Sequence, residues 1–595
     1  MNRKKSTIIL LSVFLLASNS VTAREVVWKI KKVRFSGNQF YSEDRLHRLM
    51  VCRPSGFLSP RNYHDQVLLD DIKNIELFYQ QNGFLEAEIQ NYSVLYDSLR
   101  MTVQILIQLN EGVQTKIESI SLLGNTFFTD SLLLKSITLP LPCVFSRKRI
   151  ESTSLQLLTF YANHGFLDTG IESEVHLDTT RHEAVVDYII NEHHPSRIQN
   201  INIAGLEKTR KSVVSRELSF KTNEMIVYQK LLDSQKRLYL TGLFNSVFIR
   251  PAPTDSMKNQ NRDILIELKE KESITLNLSA GYGSLDRLRC RFEIQNQNIG
   301  GRSHRAGFSF YLSSIERGAG LAFTEPWTFG TRLQTDVRVR AEYRKEPSYH
   351  LNQYGGFLTL GQKLKNKYQV SLTYRRDYSS LSHVRTSEYL QNLKNNINSI
   401  KLDAVYDSRN NLFNPGKGFY FQWSNEAGRL FSSSSRNFYR TILIVKGFHS
   451  LYTSTIIASG LELGWITASG GLSGIPLQER FFTGGPNSIR GFRYQQVGPR
   501  DENGNPYGGQ FELIMNILEI RRTIHRSFGM AAFLDAGNVW KKTENFHISD
   551  MRISPGIGIR INTVIGTARF DVAFNPFPNS DEPKILYIFN MGQAF

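Results

Sequence analysis

The sequence predicts α+β repeats followed by an all-β, 16-stranded antiparallel transmembrane barrel. Three observations support this fold class. A unit recurs in the first half of the chain, where the turn glycines Gly37, Gly124 and Gly205 stand 87 and 81 residues apart, and such self-similarity indicates a tandem array. From residue 273 the apolar residues recur with a period of two. The length of 595 residues also exceeds what one hydrophobic core usually contains.

The composition fits a barrel better than a bundle of membrane helices or a nucleic-acid-binding protein. Apolar residues make up 41% of the chain and its mean hydropathy is −0.30, which suits a barrel whose inner face is wet. The net charge is +18, but arginines recur every second residue within strands and no block of basic residues with interleaved aromatics occurs. The charge therefore indicates polar strand faces, and no nucleic-acid partner is predicted.

Cysteines, histidines and short motifs give no sign of a catalytic or metal site. Cys52, Cys143 and Cys290 are far apart and form no C-x-x-C pair, which excludes a disulfide framework and a cysteine-rich zinc site. A single bridge between Cys52 and Cys143 is left open. His193 and His194 are adjacent but lie in an expected link between repeats. Because G-x-S-x-G, H-E-x-x-H and P-loop patterns are absent from the sequence, no enzyme activity, cofactor or metal is predicted.

The first 23 residues are typical of a secretory signal peptide. Arg3, Lys4 and Lys5 form a positive start, and residues 8–17 are apolar but too few to span a bilayer. Val21-Thr-Ala23 offers small residues for cleavage. We expect the mature chain to begin near Arg24, outside the cytoplasm.

Each repeat has the same order of signals. A short strand ends in a Gly turn, as at Ser36-Gly-Asn38, and a helix later ends in an aromatic residue before a Gly-hydrophobic stop, as at Tyr79 and Gly83-Phe84. Glycine suits the left-handed position just past a helix end. Two further strands follow in each unit. The predicted repeats are residues 24–112, 113–193 and 194–272.

From residue 273 to residue 595 the strands alternate charged and apolar residues. Residues 287–295 place arginines and other polar groups on one face, whereas Leu288, Cys290, Phe292 and Ile294 fall on the other. The polar face is too charged for a dry core, so it should line a wet lumen while the apolar face meets lipid. We count sixteen strand candidates, and an even number lets a barrel close with both ends on the periplasmic side.

The segment Glu479–Phe492 stands out within the barrel region. Gly484, Gly485 and Pro486 shape a loop that presents Ile489-Arg-Gly-Phe492, since glycine permits backbone angles that other residues avoid. By itself the segment could be an ordinary glycine-rich turn. Downstream follow Phe533-Leu-Asp-Ala-Gly537, Gly556-Ile-Gly558 and a terminal Phe595.

This ordered set resembles the BamA/TamA superfamily of outer-membrane β-barrel assembly proteins, in which an R-F-x-x-G-G…(V/I)-R-G-(F/Y) loop folds back into the barrel. The repeats resemble POTRA domains, and three of them make the layout most similar to TamA. The resemblance covers essentially the whole mature chain and implies an inward-folded loop at residues 470–508. The loop residues that match the motif are Arg480, Phe481, Gly484, Gly485, Ile489, Arg490, Gly491 and Phe492.

The resemblance also implies partners for the loop arginine and a role for the C-terminus. Asp535 has the strand parity of an inward residue, and we expect it to pair with Arg490, with Glu519 nearby. From the residue pattern alone, both acids could instead simply line a wet pore. The terminal strand resembles the signal by which outer-membrane barrels are recognised for assembly. The residues of that signal are Tyr587, Phe589, Gly592 and Phe595.

The function implied is that of an insertase in the outer membrane of a Gram-negative bacterium, with the POTRA domains in the periplasm. Unfolded outer-membrane proteins would be clients that add a strand to a POTRA sheet edge. A seam between the first strand (near Ile274 to Tyr282) and the last (Ile585 to Phe595) would open to outer-membrane lipid. Leu278 and Phe589 are one example of a pair across it, with the register to be found by scanning their neighbours. Periplasmic chaperones, accessory lipoproteins or an inner-membrane protein are further expected partners.

Three alternatives stay open at this point. The first is a secretion pore for a dedicated exported protein; transporters of that kind usually carry two POTRA domains and a plug helix, which this sequence does not match. The second is a passive porin, which would lack the repeats. The third is that the repeats form only a rigid periplasmic spacer.

Overall fold

The structure is a computed structural model. It describes residues 28–54, 61–253, 261–364, 367–386, 393–431, 436–452, 454–525, 527–563 and 566–591; the predicted signal peptide lies outside these ranges. The chain divides into two compact units, of which one contains the two N-terminal sheets and the other contains a sheet of 16 strands. None of the helices in the described ranges is long and apolar enough to cross a membrane.

The first repeat is a three-stranded sheet with two helices. Its strand order is β1-β3-β2, with β1 parallel to β3. The helix α2 buries Leu68, Ile75 and Tyr79, a spacing that places them on one face, against the sheet residues Val103 and Ile105. The elements are β1 (Lys29–Ser36), α1 (Glu43–His47), α2 (Asp65–Gln81), β2 (Glu88–Asp97) and β3 (Thr102–Asn110).

The second repeat follows the same plan with one added short strand. Its sheet has the order β5-β4-β7-β6, and α4 packs Leu157 and Tyr161 into a core with Val186 and Tyr188. The elements are β4 (Lys116–Leu123), α3 (Asp130–Ser136), β5 (Cys143–Val144), α4 (Arg147–Asn163), β6 (Gly170–Asp178) and β7 (Glu183–Asn191).

The third repeat again contains two helices and three strands, in the sheet order β8-β10-β9. Its elements are β8 (Arg197–Ala204), α5 (Lys211–Ser215), α6 (Tyr228–Leu240), β9 (Phe244–Pro251) and β10 (Asn261–Glu270). The opening glycines Gly37, Gly124 and Gly205 all adopt positive φ. A side chain at any of them would collide with a backbone carbonyl of the last strand of the same repeat, which explains why glycine recurs there.

The bridge left open between Cys52 and Cys143 does not form. Both cysteines are free and buried, and they belong to the cores of different repeats. Burial raises the pKa of the Cys52 thiol to about 11, so Cys52 stays protonated and packs as a small apolar group.

A buried carboxylate directly after the last strand closes the first two repeats. In the second repeat, Glu192 accepts hydrogen bonds from the backbone N–H groups of Thr126 and Phe127, at 2.7 and 2.9 Å, and from the Tyr161 hydroxyl at 2.7 Å. Glu111 plays the same part in the first repeat, bonding the Phe40 backbone N–H and the hydroxyl at the end of α2. These carboxylates fix the turn after the first strand to the end of a helix.

We expect Glu192→Gln to destabilise the second repeat by about 1–3 kcal/mol. The substitution replaces one accepting oxygen by an amide NH2 group, which cannot accept a hydrogen bond from the N–H and O–H donors that surround it. Burial alone would raise the pKa of Glu192, but the hydrogen bonds from Thr126, Tyr161 and Phe127 outweigh it and lower that pKa. A lowered folded-state pKa contributes stability above the unfolded pKa that is lost as the pH falls through the folded pKa. The difference in the free energy of unfolding between the variant and the wild type should therefore become smaller as the pH falls.

Urea unfolding of a fragment comprising residues 24–272, at neutral and at acidic pH, measures this difference. Glu174→Gln is the matched control, since Glu174 is an exposed acid on β6 of the same repeat. Equal stability of wild type and Glu192→Gln at neutral pH, or a gap that widens in acid, would contradict the expectation.

The 16 predicted barrel strands are confirmed as one continuous antiparallel sheet in chain order. The strands are β11 (Ile274–Gly283), β12 (Arg287–Ile299), β13 (His304–Leu312), β14 (Glu316–Thr328), β15 (Leu333–Lys345), β16 (His350–Leu364), β17 (Tyr368–Ser382), β18 (Lys394–Asp407), β19 (Gly418–Phe431), β20 (Arg436–Tyr452), β21 (Thr455–Ala468), β22 (Phe511–His525), β23 (Phe528–Trp540), β24 (Arg552–Thr563), β25 (Gly566–Phe574) and β26 (Ile585–Met591).

The two faces of this sheet differ as the alternation predicts. On β25, Arg569 and Asp571 are fully buried, whereas Phe570 and Phe574 are exposed. Cys290 on β12 is exposed as well. Charged residues therefore face the inside of the barrel and aromatic and aliphatic residues form its outer surface, the arrangement that lipid requires.

Candidate functional site

The longest connection in the barrel, between β21 and β22, carries the sequence motif. It contains two single-turn 3₁₀ segments, Gly471–Gly474 and Leu477–Glu479. Most of the motif is buried, including Arg480, Arg490 and Phe492. The segment contacts inward-facing residues of strands from β17 to β25. It therefore runs through the interior of the barrel.

The paired glycines shape the turn before the arginine. Gly484 and Gly485 have φ values of +103° and +116°, which favour glycine. The Gly485 N–H donates to the Ile489 carbonyl at 3.2 Å. A Cβ at Gly484 would lie 2.7 Å from the carbonyl oxygen of Arg493. This tight fold aims the following arginine at the barrel wall.

Arg490 makes a forked ion pair with Asp535. Its Nε and Nη2 groups donate to the two carboxylate oxygens of Asp535 at 2.7 and 2.8 Å, and Nη1 donates to Glu519 at 2.6 Å. The guanidinium also lies over the Phe533 ring, 3.3 Å from its centroid. The Arg490 side chain is 1% exposed and both acids are 0% exposed. The structure thus brings together all three residues singled out for this pairing, in a buried site.

Additional charged residues surround this pair. Arg521 donates to Glu519 at 2.7 Å, and Arg560 pairs with Asp571. The Nη2 group of Arg569 donates to the Pro486 carbonyl at 2.8 Å. Nothing in the sequence indicated that Arg569 would hold the loop.

The residues beside Arg490 fit the wall by shape. A Cβ at Gly491 would lie 2.4 Å from Ser554 Oγ, and one at Gly537 would lie 2.9 Å from Ile489. The Phe492 ring packs under the guanidinium of Arg552, 4.9 Å from it. Glycine at these two positions therefore allows loop and wall to come into direct contact.

Arg480 and Phe481 hold the base of the loop together. The Arg480 guanidinium donates to the carbonyls of Leu472, Ile475 and Tyr507 at 3.0, 3.1 and 2.9 Å. Phe481 and Gly509 exchange backbone hydrogen bonds of 3.0 Å in both directions. These contacts close the two ends of the loop on each other.

The first and last strands of the barrel are joined to each other differently from every consecutive pair of strands. Between β11 and β26, which stand at the two ends of the strand order, the described residues share no hydrogen-bonded ladder. Ser284, just past β11, makes the contact: its N–H and hydroxyl both approach the Phe589 carbonyl, at 2.9 and 3.2 Å, and the Phe589 N–H donates to the same hydroxyl at 2.7 Å.

The register of the example pair, Leu278 and Phe589, was wrong. Phe589 lies beside Ser284 and faces the ring of Tyr282, with centroids 6.2 Å apart, rather than Leu278. The strands are staggered, and the amount of stagger cannot be read from their sequences. Tyr587 is exposed on the outer face. Gly592 and Phe595, the other two residues assigned to the terminal signal, lie outside the described residues.

Comparison with known proteins agrees with this architecture. Residues 298–595 match the model of the Omp85 superfamily domain. Residues 28–112, 115–193 and 196–271 match the POTRA model, described as a surface antigen variable number repeat.

Relatives and a solved structure match along most of the chain. Outer membrane protein assembly factor BamA of Nitratidesulfovibrio vulgaris (strain Hildenborough) is 24% identical over 95% of this chain and 73% of its own length. BamA of Neorickettsia risticii is 24% identical over 91% of this chain and 75% of its own length.

The crystal structure of BamA from Haemophilus ducreyi lacking POTRA domains 1–3 shares this fold. It superposes with a TM-score of 0.67 at 19% identity, covering 80% of this chain and 99% of that structure. With its POTRA repeats and a matching barrel domain that spans half of its length, this chain belongs to the Omp85 superfamily.

Proposed function

We propose that this protein is an assembly factor of the bacterial outer membrane, which inserts β-barrel proteins into the lipid bilayer. The relatives that match most of its length carry the name of outer membrane protein assembly factor. The barrel lies in the outer membrane and the POTRA repeats lie in the periplasm. Its clients are unfolded outer-membrane proteins.

The observation that carries the mechanism is the seam between β11 and β26. From β11 to β26 every consecutive pair of strands shares a hydrogen-bonded ladder; β11 pairs with β12, for example, from Ile274↔Asn296 to Gly283↔Arg287. Within the described residues, the two terminal strands are joined by the Ser284–Phe589 hydrogen bonds and the Tyr282–Phe589 ring contact, and Arg289 Nη2 on β12 also donates to the Met591 carbonyl at 3.4 Å. Each net hydrogen bond contributes only about 0.5–1.5 kcal/mol, so this is the line along which the barrel separates most easily.

An open seam offers two unpaired strand edges, and such edges accept a further strand. A client strand that pairs there satisfies its backbone groups before it meets lipid, which an unpaired strand cannot do. The driving force is the folding of the client and the burial of its apolar face, so the proposed activity needs neither nucleotide nor enzymatic turnover.

The repeats supply earlier binding edges. The strands β2 and β6 are terminal in their sheets, and most of their residues are exposed. We infer that client segments add to these edges in the periplasm and then move to the seam. Periplasmic chaperones, accessory lipoproteins or an inner-membrane protein would deliver or assist them.

Depletion of this protein, followed by a quantitative census of outer-membrane proteins, tests the proposal. We expect a broad loss of barrel proteins, while lipoproteins and periplasmic proteins persist. Re-expression of the wild-type chain should reverse the loss. Loss of a single secreted protein, with barrel proteins unchanged, would instead identify a secretion pore for a dedicated exported partner.

A further inference from the structure

The inward-folded loop also buries a negative charge, Glu479, at the end of a 3₁₀ turn. Its side chain is 7% exposed. One carboxylate oxygen accepts a hydrogen bond from Arg375 Nη2 at 2.7 Å, and the other accepts one from Arg440 Nη2 at 2.5 Å. Arg440 also donates to the backbone carbonyl of Glu479 at 2.5 Å. A buried carboxylate held by two guanidinium groups is a strong contact, because charge-assisted bonds are about twice as strong as neutral ones.

The wall holds these two arginines in place from behind. Arg375 on β17 pairs with Asp377 and, at 3.1 Å, with Glu426 on β19. Arg440 on β20 lies 3.6 Å from the same Glu426. The remaining donors of Arg375 and the Nη1 group of Arg440 are directed at wall acids, so both guanidinium groups present a positioned edge to Glu479.

Arg490 and Glu479 contact different parts of the barrel with opposite polarity. Arg490 brings a positive charge to acids on β22 and β23, whereas Glu479 brings a negative charge to bases on β17 and β20. A loop rotated to exchange the two contacts would place like charges together at both ends. The two ion clusters thus specify one orientation of the loop as well as its attachment.

We propose that Glu479 is a positioning residue that attaches the loop to the middle strands of the barrel, independently of the Arg490 attachment near the last strands. The loop then spans the interior from β17–β20 to β22–β25. If the seam opens as proposed above, strands near β26 can move outward only by carrying the loop with them or by releasing one of its two attachments. This consequence for opening rests on the proposed function; the attachment itself does not.

Apolar contacts offer a competing explanation for the placement of this half of the loop. Leu477 packs in a cluster with Tyr349 and Leu351, and Ile475 in another with Ile397 and Leu430. If these contacts alone held the loop, removal of the Glu479 charge would have no effect on it. The two explanations therefore predict different behaviour of a neutral variant.

Limited proteolysis of the full-length folded barrel tests the proposal. Glu479→Gln should increase the rate of cleavage within residues 469–510 at least about tenfold, which corresponds to about 1.4 kcal/mol. Glu502→Gln, an exposed acid of the same loop, is the control and should leave the rate unchanged. Combining Glu479→Gln with Arg490→Ala should multiply the two effects, because the attachments are independent.

A tether of different chemistry distinguishes positioning from a general loss of structure. Gln478 Nε2 donates to Ser379 Oγ at 2.8 Å, so cysteines at these two positions, joined by a short bifunctional thiol reagent, should restore protease resistance to the Glu479→Gln protein. The proposal would be overturned if the Glu479→Gln protein were cleaved at the wild-type rate, or if the tether did not restore its protease resistance. Neither the cleavage rate nor the effect of the tether depends on client assembly. The attachment through Glu479 can therefore be confirmed even if the proposed function is wrong, and the proposed function can be confirmed even if the attachment is wrong.

Discussion

Arg490→Ala and Asp535→Ala should each abolish most of the assembly activity, and the double variant should be little worse than either single one. Two residues that act only through their mutual contact lose it once, whichever is removed. Both side chains are buried, and breaking one side of a buried ion pair costs about 3–5 kcal/mol because the remaining charge stays buried without its partner. Loss of the ion pair should therefore detach the loop from the barrel wall, while the hydrogen-bonded ladders between the strands stay intact.

Arg490→Lys should already impair activity. The fork of Arg490 meets both oxygens of Asp535 and one of Glu519, and an ammonium group cannot make the planar two-point contact. The guanidinium also lies over the Phe533 ring, a position that lysine fills poorly. The conservative variant therefore separates a need for geometry from a need for positive charge.

The double-mutant cycle is scored by the amount of folded client barrel in cells and by protease access to the loop. Arg493→Ala is the matched control, since Arg493 is an exposed arginine of the same loop and should tolerate the change. Fully additive effects of Arg490→Ala and Asp535→Ala would mean that the two residues act separately, and the pairing would have to be reassigned to Glu519.

Most of the fold and part of the site could be predicted from the alternation of polar and apolar residues along the strands. Parity alone placed Asp535 inside and Cys290 outside, because successive side chains of a strand point to opposite faces. The same reasoning gave the strand number, since each alternating run ends at a turn. These features are local, so one stretch of sequence is enough to predict them.

Contacts across the barrel could not be predicted in this way. Glu479 meets Arg375, a residue 104 positions earlier in the chain, and parity says only that both point inward. Which inward residues meet depends on strand stagger and on the path of the loop, and neither leaves a periodic signal. The buried carboxylates Glu111 and Glu192 were missed for a related reason, since a single acid after a strand is common and its partners are turn N–H groups.

A disulfide between cysteines at Ser284 and Phe589 should block client assembly, and reduction should restore it. These two residues carry the backbone hydrogen bond of the seam, so a covalent bridge there prevents the separation that a few hydrogen bonds permit. The native Cys290 is exposed and should be replaced by alanine in every variant to prevent mispairing.

Cysteines at Tyr282 and Leu288 form the matched control. The pair stands in register within the β11–β12 ladder, which has no need to open, so this bridge should leave assembly unchanged. Both double variants remove one ring of the Tyr282–Phe589 contact, and they differ chiefly in where the bridge forms. Failure of the Ser284–Phe589 pair to crosslink under oxidation would contradict the register of the seam. If the bridge forms and clients still assemble at the wild-type rate, lateral opening between β11 and β26 is not the route by which they reach the bilayer.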